Sequence, residues 1–386
     1  MTSRTRLLVL AISTPVIAFA IIGGFLGQAM TRDDTYQHLR VFQDVVSLVL
    51  NNYVEEVDVS RAMKGAMHGL SEGLDADSAY LAPALVKTLD AAPGPGDTGL
   101  ELTRQYYLRV VSARDGSPAA KAGLRTGDYV RMIDDRPTRE MSAYEGNRLL
   151  GGPVGSKVTL LVIRGNAADP HEIELVRERS SSPDITSRIA EPGTGYIRVL
   201  AFSKETAALL TTQIGALAKG GAERYIIDLR GAARGDLDDG VAAARLFVKS
   251  GTLAIRQTKG DQREVLAAQA SDAKFAAPVV LLTDGGTAGA AEVFAVALDE
   301  NDRATIIGDR TLGRAARQRL VPLPDGSGLW LTHLRYLSPK GNQIHEKGLE
   351  PDVEVDQPEV EFGSEPPTTD VTLQKALEHF AQKKAA

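Results

Sequence analysis

The chain has 386 residues, 43% of them hydrophobic and 24% charged, which is ordinary for a globular protein with two or three domains. Its net charge of −6 argues against nucleic acid as the main partner, and the absence of cysteine excludes disulfides, thiolate metal sites and cysteine catalysis. The six histidines show no metal-binding spacing such as H-E-x-x-H, so we expect no metal and no other cofactor.

The N-terminal segment predicts export. Residues 7–30 are mostly apolar and follow Arg4 and Arg6, and about 20 apolar residues suffice to cross a bilayer. Basic residues before the segment predict a cytoplasmic N-terminus, so residues 1–30 are interpreted as an inner-membrane anchor with the body on the periplasmic or other extracytoplasmic side. A cleaved signal peptide is the alternative, because residues 27–29 end in a small residue. Either interpretation exports the body of the protein.

Residues 31–92 are predicted to be a helical region. Apolar residues recur at helical spacing over residues 36–53, and a second helix is predicted over 59–74. Such stripes are typical of helices that face a core.

A Pro/Gly-rich linker at residues 91–96 precedes a stretch that resembles a PDZ domain. Its motifs are Gly99-Leu100-Glu101-Leu102, Gly116-Ser117-Pro118-Ala119, Ala122-Gly123-Leu124 and Gly127-Asp128. We place this domain at residues 93–180. PDZ domains add a peptide as an extra strand and hold its terminal carboxylate with backbone N–H groups.

The resemblance implies that the peptide-binding loop is Gly99, Leu100, Glu101 and Leu102. The negative side chain of Glu101 is expected to weaken carboxylate binding at this loop. An alternative is a PDZ fold that serves as a rigid packing element without binding peptides.

The remaining residues, 181–356, predict an α/β core, followed by an acidic linker and a C-terminal helix in 357–386. Strands are predicted at 195–199 and 224–229, and a buried strand at 278–283. The small-residue turn at 284–290 then leads into a helix at 291–298. A tight strand-to-helix turn is where many hydrolases expose a nucleophile and direct free N–H groups at an oxyanion.

The core resembles the carboxy-terminal processing peptidases, which are serine peptidases with a PDZ domain and a Ser-Lys dyad. The resemblance is carried by the run from Gly286 to Glu292, the stretch from Gly308 to Arg314 and the segments 336–341 and 348–353, and it extends to 53–58 and 74–81. It implies a mixed α+β architecture: an N-terminal helical region, a PDZ domain and an α/β peptidase core of the tail-specific protease type.

The chain departs from that family at its catalytic positions. The nucleophile position falls on Gly289 and the general-base position on Arg314, whereas the helper glutamine is retained as Gln318. The family's N-P-G-G oxyanion loop reads Ala232, Ala233, Arg234 and Gly235, and in its L-D-P-H-S motif the Pro and His are replaced by Ala76 and Asp77. Glycine cannot attack a carbonyl carbon, and arginine stays protonated.

We therefore predict a catalytically inactive pseudopeptidase that binds peptides or protein C-termini through its PDZ domain. Its predicted role is to regulate or scaffold an active peptidase relative or another envelope protein. One alternative is an active serine-type endopeptidase with a non-standard site, for which Thr287 and Lys340 are the nearest candidates. Another is a structural subunit that pairs through its helical N-terminus.

Overall fold

The computed structural model describes residues 36–89, 91, 94–165, 169–179, 183–356, 360–362, 364 and 369–385. The chain divides into two compact units, Met1–Ala66 and Met67–Ala386. The segment predicted to be an anchor or signal peptide, residues 1–30, lies outside the described residues. Within the described ranges, no helix combines the length and apolar character needed to span a bilayer.

The described part of the first unit is helical, as its periodicity predicts. Helix α1 covers residues 36–52, and α2 covers Val59–Glu72. The apolar residues Leu39, Phe42 and Val45 of α1 are 42–56% exposed. The expectation that this stripe faces a core is therefore wrong for the described residues, because helical spacing shows that a face is apolar but not what covers it.

The second unit begins at Met67, within α2, and continues with strand β1 (Ala79–Leu81) and helix α3 (Pro83–Val86), after which the PDZ domain follows. Its elements are β2 (Leu100–Gln105), β3 (Tyr107–Ala113), α4 (Pro118–Lys121), β4 (Tyr129–Ile133), β5 (Arg136–Pro137), α5 (Ala143–Leu150), β6 (Lys157–Ile163) and β7 (His171–Val176). Ser117 and Ser142 begin α4 and α5 as N-caps, each accepting a backbone N–H three residues on. The sheet order is β2-β3-β4-β6-β7, so β2 is an edge strand, and α5 packs beside it.

The peptidase-like core contains the remaining elements. They are β8 (Ile185–Glu191), β9 (Thr194–Val199), α6 (Thr206–Lys219), β10 (Arg224–Asp228), α7 (Leu237–Ala244), β11 (Thr252–Thr258), β12 (Gln262–Ala267), β13 (Val279–Thr283), α8 (Ala290–Asp299), β14 (Ala304–Gly308), β15 (Ala316–Pro322), β16 (Gly328–Leu337), β17 (Val353–Glu354) and α9 (Val371–Ala385).

The central sheet has the order β17-β14-β13-β10-β9-β8 and is parallel except at β8. Every residue of β13 is buried, as its uninterrupted apolar run predicts. Helices α6, α7 and α8 pack within the larger hydrophobic cluster, and α9 covers the other face with Ala376 and Phe380. The turn between β13 and α8 therefore stands at the carboxyl ends of the parallel strands, where α/β sheets commonly bind ligands.

A second sheet, β1-β16-β11-β12 with β15 on β16, connects the N-terminal part of the second unit to the core. Strand β1 pairs antiparallel with β16 from Ala79–Trp330 to Leu81–Gly328. The residues just before β1 form an Asx turn, in which Asp75 accepts hydrogen bonds from the N–H groups of Asp77 and Ser78. This turn places Asp77 next to the core.

The PDZ domain packs directly on the core. The ring of Tyr144 on α5 lies 5.1 Å from that of Trp330 on β16, and Arg198 pairs with Asp115. A Cβ added to Gly286 would lie 2.7 Å from the carbonyl oxygen of Val111 on β3. The turn between β13 and α8 is therefore covered by PDZ backbone, and the glycine permits that close approach.

Candidate active site

Gly289, at the predicted nucleophile position, begins helix α8. Its backbone has φ 63° and ψ −118°, and its N–H donates to Oε2 of Glu292 at 2.9 Å. A Cβ built on it would meet nothing closer than 3.8 Å, the carbonyl oxygen of Arg314. The turn thus keeps space for a side chain in a conformation that side-chain-bearing residues rarely adopt. Glycine supplies no atom that can attack a carbonyl carbon.

Thr287, the nearest hydroxyl on this turn, is fully buried and already hydrogen-bonded. Its hydroxyl lies 3.0 Å from the carbonyl oxygen of Leu229 and 3.1 Å from Oδ1 of Asp284, and it accepts the N–H of Asp284. These contacts tie the turn to the end of β10. The side chain of Thr287 therefore has a structural role.

Lys340 cannot serve as a base for Thr287. Its backbone N–H donates to Glu300, and its charge acts on Asp299, so it lies at the C-terminal end of α8. Thr287 precedes the N-terminus of the same ten-residue helix, which is about 15 Å long. The two candidates therefore stand at opposite ends of α8.

Glu292 is a buried carboxylate that joins the two loops of the site, and sequence reasoning used it only as an alignment point. Besides Gly289, it accepts the backbone N–H groups of Gly313 (2.6 Å) and Arg314 (2.7 Å) and the hydroxyl of Thr311. Burial raises the pKa of Glu292, and its four hydrogen bonds partly offset that shift. The sequence signal for this role was a charged residue among the apolar residues of the first turns of α8.

Arg314, at the predicted general-base position, is held between two carboxylates. Its Nε donates to Oδ1 of Asp77 at 3.0 Å and its Nη1 to Oε1 of Glu101 at 3.0 Å. Burial disfavours the charged guanidinium, but these two carboxylates outweigh that effect and raise the pKa of Arg314. The side chain is a fixed cation and accepts no proton.

Arg234, in the altered oxyanion loop, reaches from the core into the PDZ domain. It donates to both carboxylate oxygens of Asp97, to the carbonyl of Leu100 at 2.7 Å and to Oε2 of Glu101 at 3.3 Å. Burial opposes its charge, but the carboxylates of Asp97 and Glu101 raise the pKa of Arg234. Burial also opposes the ionisation of Asp97, but its contacts with Arg234 hold the pKa of Asp97 below its usual value.

Three positions at which the sequence departs from the family motifs, Asp77, Arg234 and Arg314, therefore belong to one ion-pair network with Glu101. Asp77 pairs with Arg314, Arg314 with Glu101, and Glu101 with Arg234. Asp97 completes the network at its PDZ end. Partly buried charges need opposite partners, so these replacements compensate one another.

The backbone of the oxyanion loop is fixed by the core. The carbonyl of Ala232 accepts the N–H of Ala288 at 3.0 Å, and the carbonyl of Arg234 accepts that of Phe202 at 2.9 Å. Gly235 has φ 129°, and a Cβ there would lie 2.3 Å from the carbonyl oxygen of Phe202. Ala233 lines the cavity beside Gly289.

Gln318 lies at the same cavity, and its side-chain amide donates to Oγ1 of Thr332 at 3.0 Å. The cavity measures about 400 Å³. Arg234, Arg314 and Arg317 line it together with Glu101 and Asp236. Arg317 pairs with Asp236 and Asp238, so the charges of these arginines are matched by carboxylates.

The predicted peptide-binding loop of the PDZ domain is already engaged by other groups of the chain. The N–H of Gly99 donates to Oδ1 of Asp97 at 3.1 Å, and the carbonyl of Leu100 accepts from Arg234. The N–H of Leu102 donates to Oδ1 of Asn147 at 2.8 Å, and Nδ2 of Asn147 donates to the carbonyl of Leu102 at 2.8 Å. Asn147, on α5, carries no sequence signal that singles it out.

Across the part of the chain that the structure describes, no group of three or more His, Asp or Glu side chains could hold a metal ion. The expectation that the protein uses no cofactor stays a prediction.

Comparison with known proteins agrees with this architecture. Residues 193–355 match peptidase family S41, and residues 109–164 match a PDZ domain. The chain is 30% identical over 362 residues to the carboxy-terminal-processing protease of Bartonella bacilliformis, covering 89% of this chain and 83% of that one. It is also 30% identical over 375 residues to the carboxy-terminal processing protease CtpA of Bacillus subtilis, covering 93% and 79%.

Among solved structures, a photosystem II D1 C-terminal processing protease matches with a TM-score of 0.67 at 29% identity. The match covers 82% of this chain and 86% of that one.

Proposed function

Because the chain belongs to the carboxy-terminal processing proteases of peptidase family S41, we propose that it is a member that has kept the scaffold but lost the catalytic pair. It binds peptides or protein C-termini through its PDZ domain and does not cut them. In this role it regulates or scaffolds an active relative or another envelope protein, from the outer side of the inner membrane. The apolar segment at residues 7–30 supports that location.

The observation that carries this proposal is the state of the two catalytic positions. Gly289 has no side chain, and Arg314 is paired with Asp77 and Glu101. Loss of the nucleophile alone costs about a million-fold in turnover in a well-studied serine protease. The network of Asp77, Glu101, Arg234 and Arg314 supports the proposal, because it gives each of these charged side chains an opposite partner.

The competing function is an active endopeptidase with a non-standard site. The relatives are named as proteases, which favours it. The described contacts weigh against the candidate dyad, because Thr287 is buried with its hydroxyl engaged and Lys340 lies at the far end of α8.

Digestion of casein by the full-length protein tests the proposal, with the Bacillus subtilis relative as positive control. We expect no cleavage by the wild type. Cleavage that persists through purification and disappears in Thr287→Ala would establish the competing function.

The double revertant Gly289→Ser, Arg314→Lys is a second arm of the same assay, and we expect it to stay inactive. A lysine at position 314 would lie between the carboxylates of Asp77 and Glu101, which raise the pKa of an amine and keep it protonated. The side chain of Arg234 would still line the cavity. Activity of the double revertant would show that these neighbours do not prevent catalysis.

A further inference from the structure

The peptide-binding edge of the PDZ domain is covered by side chains of the same chain. Strand β2 is an edge strand, with β3 on one side and α5 on the other. A peptide that joins the sheet must form its backbone hydrogen bonds along the free edge of β2. Side chains from outside the sheet already form hydrogen bonds with the carbonyl of Leu100 and with the N–H and carbonyl of Leu102.

Asn147 supplies to Leu102 what a residue of an added strand would supply. Its carboxamide carries one acceptor and one donor, and these meet the N–H and the carbonyl of Leu102 at 2.8 Å each. An added strand offers the same pair of groups from its own backbone. The Asn147 side chain and a peptide therefore compete for the same backbone groups.

Arg234 occupies the neighbouring position from the core side. It donates to the carbonyl of Leu100 and is itself held by Asp97 and Glu101. Asp97 also accepts the N–H of Gly99, one of the loop donors that would face a terminal carboxylate. Asp97 and Glu101 give this loop of the PDZ domain a negative charge, which Arg234 of the peptidase-like core neutralises.

We propose that Asn147 and Arg234 form an intramolecular latch that closes the β2 edge, and that a peptide binds after this latch opens. The inference rests on the proposed function, because it assigns the closed state to the same peptide-binding loop. Asn147 closes the groove from within the PDZ domain, and Arg234 closes it from the peptidase-like core. A partner that binds Arg234 and breaks its contacts with Asp97, Leu100 and Glu101 would thereby expose the free edge of β2.

Two measurements on the full-length protein test the latch. The first is hydrogen exchange of the segment at residues 100–105. In Asn147→Ala the amide of Leu102 loses its acceptor, so we expect its exchange to accelerate at least about tenfold. The matched control is Arg148→Ala, which changes the next residue of α5, whose guanidinium donates to the carbonyls of Thr88 and Ala91. Unchanged exchange in Asn147→Ala, or equal acceleration in the control, would overturn the latch.

The second measurement is the affinity of a fluorescein-labelled peptide, Gly-Ser-Ala-Val-Leu-Val, with a free terminal carboxylate. We expect Asn147→Ala to bind it about tenfold more tightly than the wild type, equivalent to about 1.4 kcal/mol. Adding Arg234→Ala leaves Asp97 and Glu101 without their cation, which disfavours a terminal carboxylate, so the double variant is compared with the C-terminally amidated form of the same peptide, for which we expect a gain larger than that of Asn147→Ala alone. Asn147→Asp keeps the acceptor but loses the donor, so it should fall between. Measurable binding with equal affinity in wild type and variants would overturn the latch.

The two measurements separate the latch from the proposed function. Exchange could accelerate in Asn147→Ala while no variant binds the peptide in its free or its amidated form. That result would support the contact of Asn147 with β2 but refute the proposed peptide binding. Thermal unfolding of each variant shows that the second unit is still folded, so a change in exchange cannot be assigned to global unfolding.

Discussion

Replacing Arg314 by methionine tests whether the ion-pair network of Asp77, Glu101, Arg234 and Arg314 stabilises the fold. The substitution keeps an unbranched side chain of similar length but removes the two donors to Asp77 and Glu101. The carboxylate of Asp77 has 7% exposure, so it would be left charged with little water to replace the lost partner. The free energy of unfolding should therefore fall.

Its magnitude follows from the contacts. Two hydrogen bonds between charged groups contribute at least about 1.5 kcal/mol each, which gives a loss of about 3 kcal/mol. This is the lower end of the roughly 3–5 kcal/mol typical of a broken buried pair, as expected because the Arg314 side chain is still 22% exposed. At about 2.1 cal/mol/K per residue of unfolding entropy, the 320-residue second unit should melt about 4–5 °C lower.

Thermal and urea unfolding would measure the loss, with Arg310→Met as the matched control. Arg310 lies in the same loop, but its pair with Glu350 is 52% and 69% exposed, and its two hydrogen bonds to the carbonyl of Lys347 are also exposed to solvent, so its removal should cost less than about 1 kcal/mol. The variant Glu101→Gln, alone and combined with Arg314→Met, completes a double-mutant cycle that measures the interaction free energy between Glu101 and Arg314. Equal losses in Arg314→Met and Arg310→Met would refute the stabilising role of the network.

Two further substitutions probe the scaffold. Burial, with the neighbouring carboxylates Asp352 and Glu300, raises the pKa of Asp299 to about 6, so its stabilising contribution is full below the unfolded pKa of 3.8 and is lost as pH rises through 6. Asp299→Asn should therefore be more stable than the wild type by about 1–2 kcal/mol at pH 7.5, and this gain should shrink toward pH 4. Thermal unfolding of both proteins between pH 4 and pH 7.5 measures the gain. A stability difference that does not change with pH would contradict the raised pKa of Asp299. Gly235→Ala should destabilise the protein by several kcal/mol, because the backbone has φ 129° and the new Cβ would lie 2.3 Å from the carbonyl oxygen of Phe202. A loss below about 1 kcal/mol in urea unfolding would show that the loop shifts to accommodate the methyl group.

Local sequence was enough for most of the architecture. The apolar run at residues 278–283 predicted a strand covered on both faces, and β13 is buried at every residue. The prediction for helix α1 shows the limit, because its apolar stripe is exposed. A periodic pattern reports the geometry of one element, whereas burial depends on which other element packs against it.

The sequence by itself determined which side chains stand at the predicted catalytic positions. A glycine at position 289 and an arginine at 314 exclude a hydroxyl nucleophile and a neutral amine base in any fold, because those properties belong to the side chains. The PDZ signature and the order of strands and helices were determined in the same way, by residues close together in the chain.

Only the tertiary structure decided which groups these positions contact. Asp77 and Arg314 are 237 residues apart, and Glu101 and Arg314 are 213 apart, yet each pair meets at 3.0 Å. The contact of Asn147 with Leu102 likewise depends on how α5 packs against the edge of β2. Pairing between distant charges and capping of a strand edge arise from packing, so no local pattern could have revealed them.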